Sequence, residues 1–274
     1  MVVHVIAPEQ AHIVQYQKFI YYNIMGLDLT GNKLYSTSIG PKGEAIKQIQ
    51  TDGLVLHMDA GNKNSYSGTG TTWTDLSGNG NTGTLTNGPT YNSGNGGYIL
   101  FDGVNDYADI ADSNSLDITP AVTIDTWVNF PSFTAWGGIV AKRSESTARG
   151  NYYLRCGNQT GQFQLGTFPA GTTHNIWVTS KTDFATNNWY HLVGTINGST
   201  HKIYVNGVEY GGSFGWGSGT TMVADALNLR IGMGYDTAGE PGNVKVSCVR
   251  IYNRALSLTE INQNYNAQKA RFGL

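Results

Sequence analysis

The chain has 274 residues, enough for one large β domain or two small ones, and at this length even 39% hydrophobic residues can build a core. Charged residues make up 13%, about half the ordinary share, and the formal net charge is −2 with no basic patch, so a nucleic-acid surface is not expected; no stretch of eighteen apolar residues occurs, so no membrane span is expected either. Thirty-six glycines argue against a helical bundle and sixteen tyrosines against disorder, leaving a turn-rich β protein.

In chain order, the N-terminal MVVHVIAPEQAH lacks the basic start and long apolar core of a secretory signal. Residues 1–50 also lack the Gly/Asn/Thr turn grammar of the remainder. Within them, 12–25 is dense in Ile, Val, Phe and Tyr, and Ile13, Tyr16, Phe19, Ile20 and Tyr22 fit neither a helical nor a strand period. Such apolar side chains outside a core must be covered. An N-terminal arm, 1–50, is therefore expected to serve assembly by adding a strand to a neighbouring sheet edge. Wrapping its own sandwich is the alternative.

From Thr51 onward short strands alternate with turns. Strands are expected at 53–59, 98–101, 107–110, 123–130, 138–142, 152–156, 163–166, 175–179, 189–197, 201–210, 227–233 and 244–252, and 73–84 reads as a Gly/Asn loop. Val122, Ile124, Thr126, Val128 and Phe130 alternate with Thr123, Asp125, Trp127 and Asn129, which puts the two sets on opposite faces. Asn206-Gly207, between KIYV and VEY, predicts a type I′ hairpin turn. Ser257 and Glu260 have capping-box spacing, and Ile261, Tyr265, Gln268 and Phe272 fall on one face of the helix that follows. The expected fold is all-β: a two-sheet antiparallel jelly-roll sandwich over 51–274, with the N-terminal arm and a short C-terminal helix. Cys156 and Cys248 are too few for a disulfide framework or a structural zinc site, and read as two half-buried thiols in strands more readily than as a bridge.

Hydrolysis of a glycosidic bond needs two carboxylates about 5 Å apart, or somewhat more with inversion. The six glutamates are Glu9, Glu44, Glu145, Glu209, Glu240 and Glu260, and none begins or ends an alternating acidic triplet. Asp109 and Asp112, three apart, would face opposite sides of a strand. No nucleophile elbow and no phosphate-cradling loop is expected, so the chain reads as a non-enzyme.

Four segments carry a resemblance: FDGVNDYADI (Phe101–Ile110), SLDITPAVTIDTWVNF (Ser115–Phe130), NWYHLVGTINGSTHKIYVNGVEY (Asn188–Tyr210) and VRIYNRALSLTEI (Val249–Ile261). In this order they resemble the laminin-G-like, concanavalin A-like lectin/glucanase superfamily, over about residues 52–262. The resemblance implies a two-sheet jelly roll. The front segment beginning TDGLVLHMDAGNKN and the closing YNRALSLTEINQNYNAQKARF are similar to laminin-G-like domains of tailed-phage virion proteins. That likeness implies a virion structural protein, as head decoration, tail fibre or appendage, assembled in the host cytoplasm. Its partners would be other virion proteins, copies of itself in a homo-oligomer, or host surface polysaccharide. The alternative is a carbohydrate-binding lectin, with or without calcium.

Two sets of side chains are candidate sites. Oxygen-rich loops suit Ca2+, which many laminin-G-like domains hold at the sandwich rim; here Asp75 and Asn79, and Asp102 and Asp106, could supply ligands. The plainer reading is that they hold turns by bonding local backbone amides. A glycan surface pairs a flat ring with directional polar groups, and Trp136, Trp216, Tyr235 and Asp236 lie in Gly-rich segments read as loops. The plainer reading there is that the rings lie down as lids. Trp73, Trp127 and Trp189 are assigned to packing. No cofactor is required.

Overall fold

Turn residues cut the chain into short strands, and every strand pair among the described residues is antiparallel. The computed structural model describes residues 22–24, 37–39, 48–144, 149–157, 161–168, 175–179, 181–216, 222, 224–235 and 239–274. Two units separate at Lys47 and Gln48. In the first, β1 (Tyr22–Ile24) pairs with β2 (Thr37–Ile39), with Tyr22 opposite Ile39. Ile13, Tyr16, Phe19 and Ile20, expected in the arm, lie outside the described residues.

The second unit begins with β3 (Leu54–Asp59), β4 (Thr72–Trp73), β5 (Gly83–Thr86), β6 (Thr90–Asn92), β7 (Tyr98–Asp102) and β8 (Tyr107–Ile110). It continues with β9 (Ala121–Asn129), β10 (Gly138–Ser144), β11 (Arg149–Cys156), β12 (Phe163–Phe168), β13 (Asn175–Thr179) and β14 (Trp189–Asn197). It closes with β15 (Thr200–Val205), β16 (Val208–Tyr210), β17 (Gly212–Trp216), β18 (Leu229–Ile231), β19 (Asn243–Tyr252) and helix α1 (Leu258–Gln268). Among the described residues these make a nine-stranded sheet, ordered β17-β13-β12-β11-β10-β18-β8-β5-β4, and an eight-stranded sheet, ordered β16-β15-β14-β9-β19-β7-β6 with β3 also on β19. Ten residues make β19 long enough for two partners in succession: β7 pairs along Asn243–Val246 and β3 along Cys248–Tyr252. Asn206 and Gly207, at φ 52° and 79°, form the expected tight turn between β15 and β16.

The main core lies between the sheets. Val122, Ile124 and Val128 of β9 and Leu192 and Ile196 of β14 meet Val140, Tyr152, Leu154 and Leu165 from the other sheet. Each such side chain contributes roughly 1.5–3 kcal/mol by leaving water. Trp73 is buried in this core. The two cysteines are buried and unbridged, Cys156 in the main core and Cys248 on β19.

The opposite face of β9 is buried as well. Trp127 stacks on Phe272 at 4.1 Å between ring centroids, and Tyr265 and Trp189 complete the cluster. The C-terminal segment thus seals the outer face of the eight-stranded sheet. Ser257 Oγ accepts from Glu260 N at 3.4 Å and Glu260 Oε2 accepts from Ser257 N at 2.8 Å, which fixes the start of α1. Asn264, not among the residues expected on the buried helical face, is fully buried because it donates to Asp125 Oδ2 at 2.8 Å and to the Tyr252 hydroxyl at 3.0 Å. Gln50 joins the same network, its N–H donating to Asn264 Oδ1 at 2.7 Å, so the sandwich unit takes in residues just ahead of the expected boundary at Thr51.

Candidate functional site

The loop before β10 carries Trp136, 49% exposed, with its backbone in the left-handed region at φ 57°. Glu240, before β19, sits at the same φ of 57°. All other non-glycine positive-φ positions among the described residues are asparagines, the residue that tolerates this conformation best. A tryptophan and a glutamate held there mark strained backbone, which tends to collect at functional sites.

The two loops are stitched together. Gly138 N donates to Glu240 O at 2.8 Å, and Thr134 Oγ1 donates to Pro241 O at 3.1 Å. A Cβ on Gly138 would stand 2.2 Å from Gly234 N, so this approach requires glycine. Arg155, opposite Gly138 across the β10–β11 pair, donates through Nη1 to both Glu240 oxygens, at 2.7 and 2.8 Å. Its Nε donates to Gln164 at 2.9 Å. The Tyr235 hydroxyl donates to Glu240 Oε1 at 3.1 Å. Arg143 of β10 lies between two rings, its guanidinium carbon 3.9 Å from the Tyr235 centroid and 4.4 Å from that of Tyr153. It reaches Glu240 Oε2 through Nη1 at 3.3 Å. Burial pushes the Tyr153 phenol up to about 12 and lowers Arg143 from its ordinary value. Arg230 pairs with Asp109 at 3.1 Å and donates through Nη1 to the Tyr235 carbonyl at 2.9 Å.

Of the four residues predicted for a glycan surface, Trp136 and Tyr235 come together on these adjoining loops. Trp136 projects as an exposed ring, while Tyr235 is half-buried against Arg143. Trp216, expected on a loop, instead ends strand β17, paired with Ile176. Asp236 lies outside the described residues. Sequence reasoning missed Arg143, Arg155 and Glu240. The spacing of Tyr153 and Arg155, two apart on a strand, was a signal for a shared face; nothing near Glu240 in sequence pointed to its partners.

The residues weighed for calcium are turn anchors in this geometry. Asp75 Oδ1 accepts from His57 N and Ser77 N, both at 2.9 Å, and Oδ2 accepts from Asn81 N at 3.0 Å and Ser77 Oγ at 2.8 Å. Four protein donors thus fill its lone pairs. Asn79 is exposed, with its amide donating to Leu54 O and Ser77 Oγ. Asp102 Oδ1 accepts from Val104 N at 2.8 Å, closing an Asx turn, and Asp106 Oδ2 accepts from Asp102 N at 3.2 Å. Burial first, and then the Asp102 charge, raises Asp106 above its ordinary value.

Among the described residues, potential metal-ligating atoms gather elsewhere, where His57, Asp59 and Cys248 lie within 4.8 Å of one another. Asp59 is already held by Arg271 Nη1 at 2.8 and 3.0 Å and by Gly61 N, which ties it to the C-terminal seal. A hollow of about 400 Å³ opens beside the start of α1, lined by Thr195, Tyr204, Leu256 and Leu258, with its charged groups Lys202 and Glu209 paired at 3.0 Å. The string Gly211–Gly215 matches Gly-x-Ser-x-Gly in letters, but residues 212–215 run within strand β17 and not through a strand-to-helix elbow.

The family model described as the concanavalin A-like lectin/glucanases superfamily matches residues 102–262. No curated protein matches the sequence. Similar solved structures include the binding domain of Paraclostridial Mosquitocidal Protein 1 (TM-score 0.63, 16% identity, 79% of this chain and 52% of that one) and that of botulinum neurotoxin serotype D (0.61, 16%, 80% and 52%). A sialidase of Trypanosoma rangeli is similar over 86% of this chain and 36% of its own, at 18% identity and a TM-score of 0.59. These likenesses establish a shared fold, and the chain spans about half or less of each of these structures.

Proposed function

The chain belongs to the concanavalin A-like lectin/glucanase superfamily, and on that premise we propose that it is a non-catalytic saccharide-binding module acting in adhesion. The observation that carries this reading is Trp136, an exposed ring held in left-handed backbone and bonded through its loop to a polar cluster. Sugar C–H faces stack on such a ring while hydroxyls take directional partners beside it. Glu240, the carboxylate of this rim among the described residues, is gripped by Arg155 and Arg143 and so is engaged as an ion pair, not poised as a general acid. That supports binding over hydrolysis.

The finer reading is display on a phage particle, with the first unit attaching the sandwich to neighbouring virion proteins or to further copies of the chain, and host polysaccharide as the target. Its support is the resemblance at both ends of the sandwich and the low charge. Antibody to the sandwich decorating purified particles would bear this out; particles without the protein would refute it.

Binding is tested by titrating a panel of neutral and acidic polysaccharides against wild type and Trp136→Ala. The expected result is saturable binding to at least one polymer, weakened about tenfold or more in the variant with an unchanged melting temperature. Binding that ignores the substitution, or no binding to any polymer, would overturn the reading.

A further inference from the structure

The hollow of about 400 Å³ beside the start of α1 lies on the outer face of the eight-stranded sheet, and strand alternation sets its floor. Leu192, Ile196 and Ile203 point into the main core, so Thr195 and Asn197 of β14 and Thr200, Lys202 and Tyr204 of β15 point away from it. Ala255, Leu256 and Leu258, leading from β19 into α1, form the facing wall. The hollow is open to solvent: Asn197, Thr200, Glu209 and Leu258 are all exposed, Leu258 by 46%. Its volume falls in the lower part of the range of small-ligand sites, roughly 300–1,000 Å³.

The lining selects for one kind of occupant. Lys202 and Glu209 neutralise each other at 3.0 Å, and the N–H and hydroxyl of Ser257 at the helix start both donate to Glu260. A charged ligand would have to break the Lys202–Glu209 pair or sit beside its like charge. A wholly apolar ligand would strip water from Asn197, Thr200 and the ion pair without replacing those hydrogen bonds. A neutral polyhydroxyl meets neither penalty. A lysine has three N–H donors and a carboxylate about four acceptor sites, so the pair keeps capacity for ligand hydroxyls while staying intact. The Asn197 amide adds donors and an acceptor, and Ala255 and Leu258 offer apolar surface to the C–H face of a sugar ring.

The hollow and Trp136 lie at opposite ends of the sandwich. A Cβ on Gly137, next to Trp136, would stand 3.2 Å from the Gly242 Cα just ahead of β19, whereas residues 255–258 follow the end of that strand. The ten residues of β19 between them span roughly 30 Å. We propose that the hollow is a second saccharide site, which takes a short run of an uncharged glycan, so that one chain holds two glycan strands at once. This goes beyond the Trp136 reading and does not depend on that ring.

The test follows backbone amide shifts of the full, nitrogen-15-labelled chain by NMR. Maltotriose, cellotriose and mannotriose are titrated, with inorganic phosphate and glycine as charged controls. Saturating shifts are expected at the Asn197, Thr200 and Leu258 amides with at least one sugar, in wild type and in Trp136→Ala alike. Lys202→Leu combined with Glu209→Leu removes the pair without changing the net charge, and should weaken that binding about tenfold or more. Thermal melting checks folding, and Asn197→Leu serves as the second variant if the first lowers the melting temperature. Shifts confined to the loops around Trp136 would overturn the inference and leave the proposed function standing. Shifts confined to the hollow would sustain it and remove the case for Trp136. Phosphate or glycine saturating the hollow in place of sugars, or sugar binding there that survives both variants, would overturn it too. No shift with any sugar would sink both readings together.

Discussion

Replacing Asp125 by alanine removes the centre of the seal between α1 and the eight-stranded sheet. The carboxylate is fully buried and accepts from Arg250 Nη1 at 2.9 Å and Asn264 Nδ2 at 2.8 Å, with His191 Nε2 at 3.1 Å. Burial alone would raise its pKa, but His191 and Arg250 outweigh burial and hold it well below the ordinary carboxylate range. Without Asp125, Arg250 stays fully buried with only Gln268 as a hydrogen-bond partner among the described residues, and its Nε already lacks one. Breaking one side of such a pair costs about 3–5 kcal/mol, a large share of the roughly 5–15 kcal/mol that stabilises a domain. Replacing both partners with apolar residues, as in Asp125→Leu with Arg250→Met, removes the stranded charge and should recover much of that loss. Urea unfolding of the two single variants and the double yields the coupling energy, expected at about 2 kcal/mol or more. Single-variant losses that simply add to within about 0.5 kcal/mol would refute the pairing argument.

Two further outcomes follow from buried groups. Burial, reinforced by Arg250, lowers His57 from 6.5 to about 4 despite Asp59, Asp125 and Asp75 nearby, so the folded state resists a proton that the unfolded chain accepts. Its stabilising contribution is whole above pH 6.5 and lost as pH falls toward 4; at pH 5 the loss is about 2 kcal/mol, and urea midpoints of wild type and His57→Gln across that window should diverge accordingly. Burial also pushes the Cys248 thiol up to about 12 and raises Cys156, so an aromatic disulfide reagent at pH 8 should label neither in the native protein and both after denaturation.

The strands and the helix were legible because their signals are local: alternation in β9 and β14, Asn-Gly between β15 and β16, and the Ser257–Glu260 box. Alternation separated the two faces of β9 but could not show that Trp127's face is covered, since the cover, Tyr265 and Phe272, lies far along the chain. The two- to four-residue strands β4, β5 and β6 are too short to show a period inside a Gly/Asn-rich stretch. Trp216 was misread because its Gly-rich surroundings signal a loop, whereas pairing with β13 makes the segment a sheet edge. Asp75 shows another limit: an aspartate in a Gly/Asn loop looks the same whether it meets a cation or four backbone and hydroxyl donors. The rim cluster was hidden for the reason the Trp127 cover was, because Glu240 meets Arg143 and Arg155 only through the fold.

The outer faces of the two sheets differ in how their charges are resolved among the described residues. Beneath α1, Asp125 has Arg250 and Asn264, and Asp59 has Arg271, so anions and cations are matched. At the rim of the nine-stranded sheet, Arg143 is buried and, among the described residues, shares the Glu240 carboxylate with Arg155, its Nε and Nη2 unpartnered. Selection for stability alone would favour an apolar side chain there, since replacing poorly compensated buried charge by a packed hydrophobe is often neutral or stabilising. Arg143→Met is therefore expected to change stability by less than about 1 kcal/mol, or to increase it, in contrast to the several kcal/mol lost with Asp125→Ala. Urea unfolding of the variant decides the matter. A loss of more than about 2 kcal/mol would show that stacking on Tyr153 and Tyr235 makes Arg143 a structural clamp, and would refute the argument from poorly compensated charge.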